Sequence, residues 1–469
     1  MDLSRIVEQW ARHAPSRIAL RFEGEQWTYG ELWQRIEHVA RALEVAKGDR
    51  IAWLGYNRPD MLVLLFAAAR RGALLVPLNW RLTAAEHRGI LDDSCPRWMF
   101  ADADFAEAAR ALGVPMGRLD APAGAASAGA DEDDLLIVYT SGTTGRPKGA
   151  VLAQSALLWN GYNAIHAHDL GQADHVLSTL PMFHVGGLNN QTVPALLAGA
   201  TVTLHKRFEP GHWLREVHTA RPSLSLLVPA TMQAVIAHPD WARTDLSSLR
   251  LLMTGSMVVA ESLIHAFHQR GVPVGQIYGS TETAPIALVL TREDALRKVG
   301  STGKPACHCE IKLAHSEICV RGPNVMRRYW NDPVATARVL DAEGWFHSGD
   351  LARVDDEGYY WIMGRSKDVI ISGGENIYPA ELESVLADCP AIAESTVIGV
   401  QDDKWGEAAC AVVVRRAGAT LTEADVLGLF KDRLARYKHP RRIVFAETLP
   451  KNALGKVRKN ELRKLLQSR

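Results

Sequence analysis

Residues 140–149 read Thr-Ser-Gly-Thr-Thr-Gly-Arg-Pro-Lys-Gly and follow the apolar run Leu135–Tyr139. Gly142, Gly145 and Gly149 let the backbone turn tightly and bring its N–H groups close to a ligand. Successive N–H groups of this kind form an anion-binding concavity. Ser141, Thr143 and Thr144 add hydroxyl donors, and Lys148 adds a point charge. The chemistry this set suits is polyphosphate binding. The spacing is not Gly-x-x-x-x-Gly-Lys-[Ser/Thr], because Lys148 is followed by Gly149 and no hydroxyl stands beside it to bind Mg²⁺.

Three further groups carry chemistry. Tyr278-Gly279-Ser280-Thr281-Glu282-Thr283 follows the apolar run Val274–Ile277. Ligands of open α/β folds bind at the carboxyl edge of the sheet. There the ring can stack on a base, a hydroxyl can meet a phosphate and Glu282 can hold Mg²⁺; a turn with an exposed acid explains the same six residues equally well. Asp350, in Trp345–Leu351, is placed either to accept from the two vicinal hydroxyls of a ribose or simply to close a turn. Lys456 follows Gly455 in the basic stretch Pro450–Lys456, which alone reads as a solvated tail. Between them, Gly364–Asp368 is a charged, hinge-like run, and Gly373-Gly374 signals close backbone approach or unusual φ.

These groups need a scaffold of more than one domain, which 469 residues can supply. Strands are expected at Arg50–Leu54, Leu135–Thr140, Leu224–Val228, Leu249–Met253 and Val274–Tyr278, with helices between them at Tyr29–Leu43 and Ala260–Gln269. That alternation argues for α/β layers with a largely parallel sheet. Ala121–Asp134 reads as a surface linker. After residue 366 the pattern becomes a compact α+β unit: a helix begins at Pro379, strands fall at Val397–Val400 and Ala409–Val414, and Thr422 with Asp425 caps a helix expected to run through Leu434. The domains are therefore expected at 1–366 and 367–469.

Composition narrows the function. Lys+Arg and Asp+Glu both number 53, and the absence of any basic block argues against a nucleic-acid partner. Cys95, Cys307, Cys309, Cys319, Cys389 and Cys410 form no zinc spacing, and scattered thiols fit a cytoplasmic setting. No signal-peptide stretch opens the chain. Arg70 and Arg71 interrupt Met61–Leu78, so no transmembrane segment is expected.

Taken together and in this order, Thr140–Gly149, Tyr278–Thr283, Ser348-Gly349-Asp350, Gly364–Glu383 and Pro450–Lys456 resemble the adenylate-forming (AMP-binding) superfamily of acyl-CoA synthetases, luciferases and peptide-synthetase adenylation domains. The resemblance spans essentially the whole chain, and Pro181–Gly187 matches a further family segment. It implies an α/β fold: a large multi-layer N-terminal domain of sheets and helices, plus a small mobile α+β C-terminal lid carrying the adenylation lysine. It also implies ATP and CoA as substrates and Mg²⁺ as cofactor.

The resemblance assigns roles residue by residue. Thr140, Ser141, Gly142, Thr143, Thr144, Gly145 and Lys148 would hold the β- and γ-phosphates. Tyr278 would stack on adenine beside Gly255 and Ser256. Thr281 would touch phosphate, Glu282 would bind Mg²⁺, and Asp350 with Arg365 would take the ribose. Lys456 would bridge the carboxylate and the α-phosphate, making Lys456, Thr281 and Glu282 the catalytic set. Lys367 matches the hinge. Arg81, Gly374, Trp405, Lys438 and Arg441 match CoA-binding positions; His439 stands where some relatives carry arginine. The acyl pocket would be lined by Asn163, His184, Val185, Gly186, Leu226, Thr254, Ile277, Gly279, Ala284 and Pro285, with Gly186 and Gly279 leaving space.

That pocket has no acidic side chain for an ammonium group and no arginine for a second carboxylate. It suits a monocarboxylic acid, fatty or aryl. The expected activity is ATP-dependent acid:CoA ligation through an acyl-AMP. Two alternatives are an acyl-AMP ligase that loads a carrier protein and a degenerate nucleotide-binding regulator. A homo-oligomer is compatible with either enzyme reading.

Overall fold

The computed structural model describes residues 2–120, 129–140, 147–257, 259–372, 375–402, 405–452 and 455–467. Ser141, Gly142, Thr143, Thr144, Gly145 and Gly374, and residues 121–128 of the expected linker, lie outside the described residues.

Among the described residues the larger part of the chain builds two mainly parallel sheets and one antiparallel sheet. In the nine-stranded sheet, Val274–Tyr278, Leu251–Gly255, Leu224–Leu226, His175–Ser178, Thr201–Leu204 and Ile18–Phe22 lie side by side and parallel. Antiparallel strands finish both edges. In the six-stranded sheet, Trp98–Ala101, Arg50–Leu54, Leu74–Leu78 and Asp134–Thr140 are parallel. The four-stranded sheet, Glu310–Arg321 with Phe346–Arg365, is antiparallel throughout.

Local sequence explains the helices that cover these sheets. Thr28 and Glu31 form a capping box that starts Tyr29–Ala42, whose Leu32, Ile36 and Val39 are buried on one face. Pro59 opens Pro59–Arg71, and Gly72 closes it at φ 67°. Met61–Ala69 of that helix is buried all round, the signature of a core helix rather than a surface one. It is far too short to span a bilayer, and among the described residues no helix is long and apolar enough to cross a membrane.

The strand Asp134–Thr140 pairs antiparallel with Lys148–Ala153, with Thr140 opposite Lys148. The glycine- and hydroxyl-rich residues thus join two strands of a hairpin, whereas the P-loop joins a strand to a helix. Several boundaries move from expectation. The third parallel strand stops at Leu226 because Pro229 begins a helix, and Leu249–Met253 shifts to Leu251–Gly255. The Thr422 capping box forms, but its helix ends at Gly428. Glycine is a poor helix former, and Asp432 takes φ 60° before Leu434 is reached.

The C-terminal part is a five-strand sheet. Glu375–Ile377, Ile370–Ser372, Gly406–Arg415 and Ile392–Asp402 are antiparallel, and Arg442–Phe445 lies parallel to Gly406–Arg415. The apolar clusters of the larger part use residues up to Ile362. Those of the smaller part use residues from Ile370 onward.

Candidate active site

Leu226, Thr254, Gly255, Ile277 and Tyr278 sit at the carboxyl ends of three adjacent parallel strands, in register as Leu226 beside Met253 and Gly255 beside Ile277. A Cβ on Gly255 would stand 2.3 Å from the Ile277 carbonyl oxygen, so only glycine permits this approach. The edge opens into a cavity of about 380 Å³. Of the expected acyl residues, His184, Val185, Gly186, Leu226, Thr254, Ile277, Gly279 and Pro285 line it.

Asn163 and Ala284 do not. The Asn163 Oδ1 accepts from the His308 N–H at 2.9 Å and its Nδ2 lies 3.4 Å from the Cys309 Sγ, so the carboxamide ties two segments together away from the cavity. Ala284 is fully buried in a turn at φ 64°. Gly279 needs a second correction, because it does not leave usable space. A Cβ there would come within 1.5 Å of the Pro285 carbonyl oxygen. Gly186 is roomier: its Cβ would meet the His184 Nδ1 at 3.0 Å and the Asn190 Nδ2 at 4.0 Å. Asn190 also lines the cavity. The sequence offered no motif for it; it lies in Leu188–Thr192, a single buried π-helical turn.

His184 introduces the segment that carries Gly186. Its Nδ1 accepts the Gly186 N–H at 3.0 Å, which leaves the ring hydrogen on Nε2. Burial, aided by the Lys456 charge, pushes its pKa down to about 4. The ring is therefore a neutral wall with one outward donor.

At the end expected to take the nucleotide, polar groups interlock. The Tyr278 hydroxyl donates to Asp350 Oδ2 at 2.8 Å. The Arg365 Nε lies 2.8 Å from Asp350 Oδ1, a contact made by pairing Phe346–Val354 with Tyr360–Arg365. Burial and the Asp350 charge raise the Tyr278 phenol well above its ordinary pKa, so it remains a donor. Beside this, Glu282 Oε1 accepts from the Tyr329 hydroxyl at 2.7 Å. The Lys148 Nζ lies over the Tyr329 ring, 5.3 Å from its centre. Tyr329 was not singled out in the sequence; its two-residue strand reaches the site by pairing with Lys148–Ala153. Thr281 is buried next to Glu282, and Ser256, following Gly255, takes the left-handed φ of 70°.

Lys456 enters this cleft from the C-terminal part. Its turn is closed by the Asn452 N–H donating to the Lys456 carbonyl at 2.8 Å and by the Lys456 N–H donating to Asn452 Oδ1 at 2.9 Å. The side chain keeps accessible surface in the open cleft while protein surrounds it densely. That burial and the nearby Arg365 lower its ammonium pKa, against the pull of Asp350 and Glu282. Lys367 lies in the short turn Ser366–Asp368 between the last strand of the larger part and the first of the smaller.

The expected CoA positions divide between the two parts. Arg441 lies over the Trp405 ring at 4.6 Å, and Lys438 is paired with Glu381 at 2.7 Å. Arg81 rests between Trp80 and Phe183, 4.7 and 5.9 Å from the ring centres. His439 points inward, its Nε2 2.9 Å from the Leu434 carbonyl oxygen.

Comparison with known proteins agrees with this architecture. Residues 7–330 match the AMP-binding enzyme family, and residues 381–456 match the AMP-binding enzyme C-terminal domain. The indoleacetate–CoA ligase of Aromatoleum aromaticum is 47% identical, covering 99% of this chain and 98% of its own. A feruloyl-CoA synthase of Amycolatopsis sp. is 43% identical, covering 97% of each chain. The structure of o-succinylbenzoate CoA synthetase from Bacillus subtilis, in complex with its acyl-adenylate intermediate, superposes with a TM-score of 0.90 at 32% identity, covering 98% of this chain and 97% of that one. The chain belongs to the AMP-binding enzyme family, in its acid:CoA ligase branch.

Proposed function

We propose that this cleft activates an aromatic monocarboxylic acid and passes it to CoA. A carboxylate is a poor acyl donor because its leaving group would be oxide. One carboxylate oxygen attacks the α-phosphorus of ATP, forming acyl-AMP and expelling pyrophosphate. The CoA thiol, losing its proton, then attacks the acyl carbon; the thioester forms and AMP leaves.

The observation that carries the reading is the position of Lys456. Carried on the smaller domain, it lies near enough to feel the charges of Asp350, Arg365 and Glu282 and to depress the His184 pKa, which sets it between the two ends of the cleft. An ammonium there offsets the repulsion between carboxylate and phosphate where the two anions meet. Asp350 fits a ribose, since each of its oxygens keeps acceptor capacity beyond Tyr278 and Arg365. Glu282 fits Mg²⁺, a hard cation that takes oxygen ligands: Tyr329 orients its carboxylate, and among the described residues no Lys or Arg ion pair occupies it. Bound there, the ion would neutralise phosphate charge. Lys148 adds a further cation on the phosphate side.

The acid is read from the cavity wall. Val185, Leu226, Ile277 and Pro285 are apolar, and no Asp, Glu, Lys or Arg is among the described residues that line it. Such a wall suits one carboxylate on a ring rather than a diacid or an amino acid. Relatives named for indoleacetate and ferulate support the same choice. Transfer to free CoA, rather than a carrier protein, is supported by the Trp405–Arg441 pair on the smaller domain. The boundary at 366, with Lys367 as pivot between 1–366 and 367–469, supplies the turn that would withdraw Lys456 and admit the thiol. The free cysteines fit a cytoplasmic setting.

Lys456→Ala tests the reading. Acid-dependent AMP release should fall by roughly 10³-fold, while supplied acyl-AMP and CoA should still give thioester at a near-normal rate. Equal damage to both half-reactions would overturn the role of Lys456.

A further inference from the structure

Two side chains on the acyl wall are polar, buried and unsatisfied. Asn190 is 7% exposed, Thr254 is fully buried, and both line the cavity. Among the described residues, the Asn190 Oδ1 and the Thr254 Oγ1 have no hydrogen-bond partner. The Asn190 Nδ2 also makes no hydrogen bond there and lies toward Gly186, on the cavity side. Its main chain, by contrast, is fixed: the Asn190 carbonyl oxygen lies 2.8 Å from the His168 Nε2. The backbone is therefore anchored while the carboxamide keeps hydrogen-bonding capacity unspent. Buried polar groups in folded proteins are paired, and an unpaired one is costly. Asn189 and Gln191 in the same turn also carry unpaired buried atoms but do not line the cavity; Asn190 does, and there a bound acid can supply the missing partner.

We propose that Asn190 is a specificity residue: the cavity selects aromatic acids whose ring carries a hydrogen-bonding heteroatom, an N–H or a hydroxyl, over their carbocyclic or sulfur analogues. The inference rests on the acid:CoA ligase reading and narrows its substrate. A carboxamide can serve either kind of group. Its two ends differ only by a half-turn of the amide, giving an acceptor for a ring N–H and a donor and acceptor for a phenol. The surrounding Val185, Leu226 and Ile277 hold the ring without competing for those bonds. A site built to bond a substrate N–H or O–H rejects the analogue that lacks it, because the site's own polar groups are then left unpaired.

Two matched pairs of acids test the proposal: indole-3-acetate against 1-benzothiophene-3-acetate, and 4-hydroxycinnamate against cinnamate. The measurement is kcat/KM for CoA-dependent AMP release. Wild type should favour the N–H or O–H member of each pair by ~10-fold or more. Asn190→Leu, close in volume, should erase that preference, and the analogues should gain. Asn190→Ser keeps a polar group and should retain part of it. ATP–pyrophosphate exchange and the melting temperature report whether each variant is folded. Equal use of both members by wild type would overturn the proposal and leave the ligase reading standing, as would an unchanged ratio in folded Asn190→Leu. Release of no AMP with any aromatic acid would overturn both.

Discussion

The two ends of the cleft are finished differently. At the nucleotide end the groups hold one another: Tyr278 and Arg365 on Asp350, Tyr329 on Glu282, and Lys148 over Tyr329. At the acyl end the described wall carries no Asp, Glu, Lys or Arg, His184 is neutral, and Asn190 and Thr254 keep unspent polar atoms. In the proposed reading the first end grips one fixed ligand in one geometry. The second leaves its recognition to be completed by the acid. Damage to the first should slow every acid alike, and damage to the second should change their order.

Among changes confined to one end of the cleft, the largest expected effect is at Asp350. Asp350→Ala removes the acceptor proposed for the ribose hydroxyls and leaves Tyr278 and Arg365 without their partner. Losing charge-assisted bonds worth together about 3 kcal/mol should lower kcat/KM for ATP by roughly 100-fold, with the ranking of acids preserved. A shift in ranking would show that the two ends are coupled.

The pH profile sharpens the same contrast. In the proposed reading Lys456 acts as an ammonium, and burial with Arg365 lowers its pKa. Adenylation should therefore fail on an alkaline limb below the pH at which an ordinary lysine titrates, losing about tenfold per pH unit beyond it. Lys456→Arg should move that limb upward. His184, with its pKa near 4, is already neutral well below pH 6, so replacing it with glutamine should remove no limb near pH 6.5. An unmoved alkaline limb in Lys456→Arg would show that another group titrates there.

Smaller effects are expected at the two glycines. Gly279→Ala drives a Cβ into the Pro285 carbonyl, and overpacking of this kind costs about 1–3 kcal/mol. The melting temperature should drop, with little selectivity among acids. Gly186→Ala adds one carbon beside His184 and Asn190. One methylene is worth about 0.8 kcal/mol of transfer free energy, or roughly fourfold, so bulky acids should lose about that much relative to short ones. A uniform loss would mean that Gly186 does not face the acid.

The contrast also explains what the sequence made legible. Asp350, Glu282 and Lys148 stand in short motifs whose types announce anion, ribose and metal chemistry. The strand that ends at Tyr278 and the capping box at Thr422 follow from local rules, and both appear where expected. Tyr329 was invisible because its role depends on pairing with a strand that lies far back in the chain. Asn190 was invisible because it stands in no motif; its place on the wall depends on how the buried turn Leu188–Thr192 packs. Asn163 and Ala284 were placed by family position alone, and packing gave them other work. Gly279 shows the same limit: a glycine marks space or a close approach, and only the Pro285 carbonyl decides which.

One measurement tests the division most directly: kcat/KM across a panel of fatty acids, benzoates and arylacetates in wild type, Asp350→Ala and Gly186→Ala. A single common factor for every acid in Asp350→Ala, together with a changed order in Gly186→Ala, is the predicted result. A reordered panel in Asp350→Ala, or a common factor in Gly186→Ala, would contradict it.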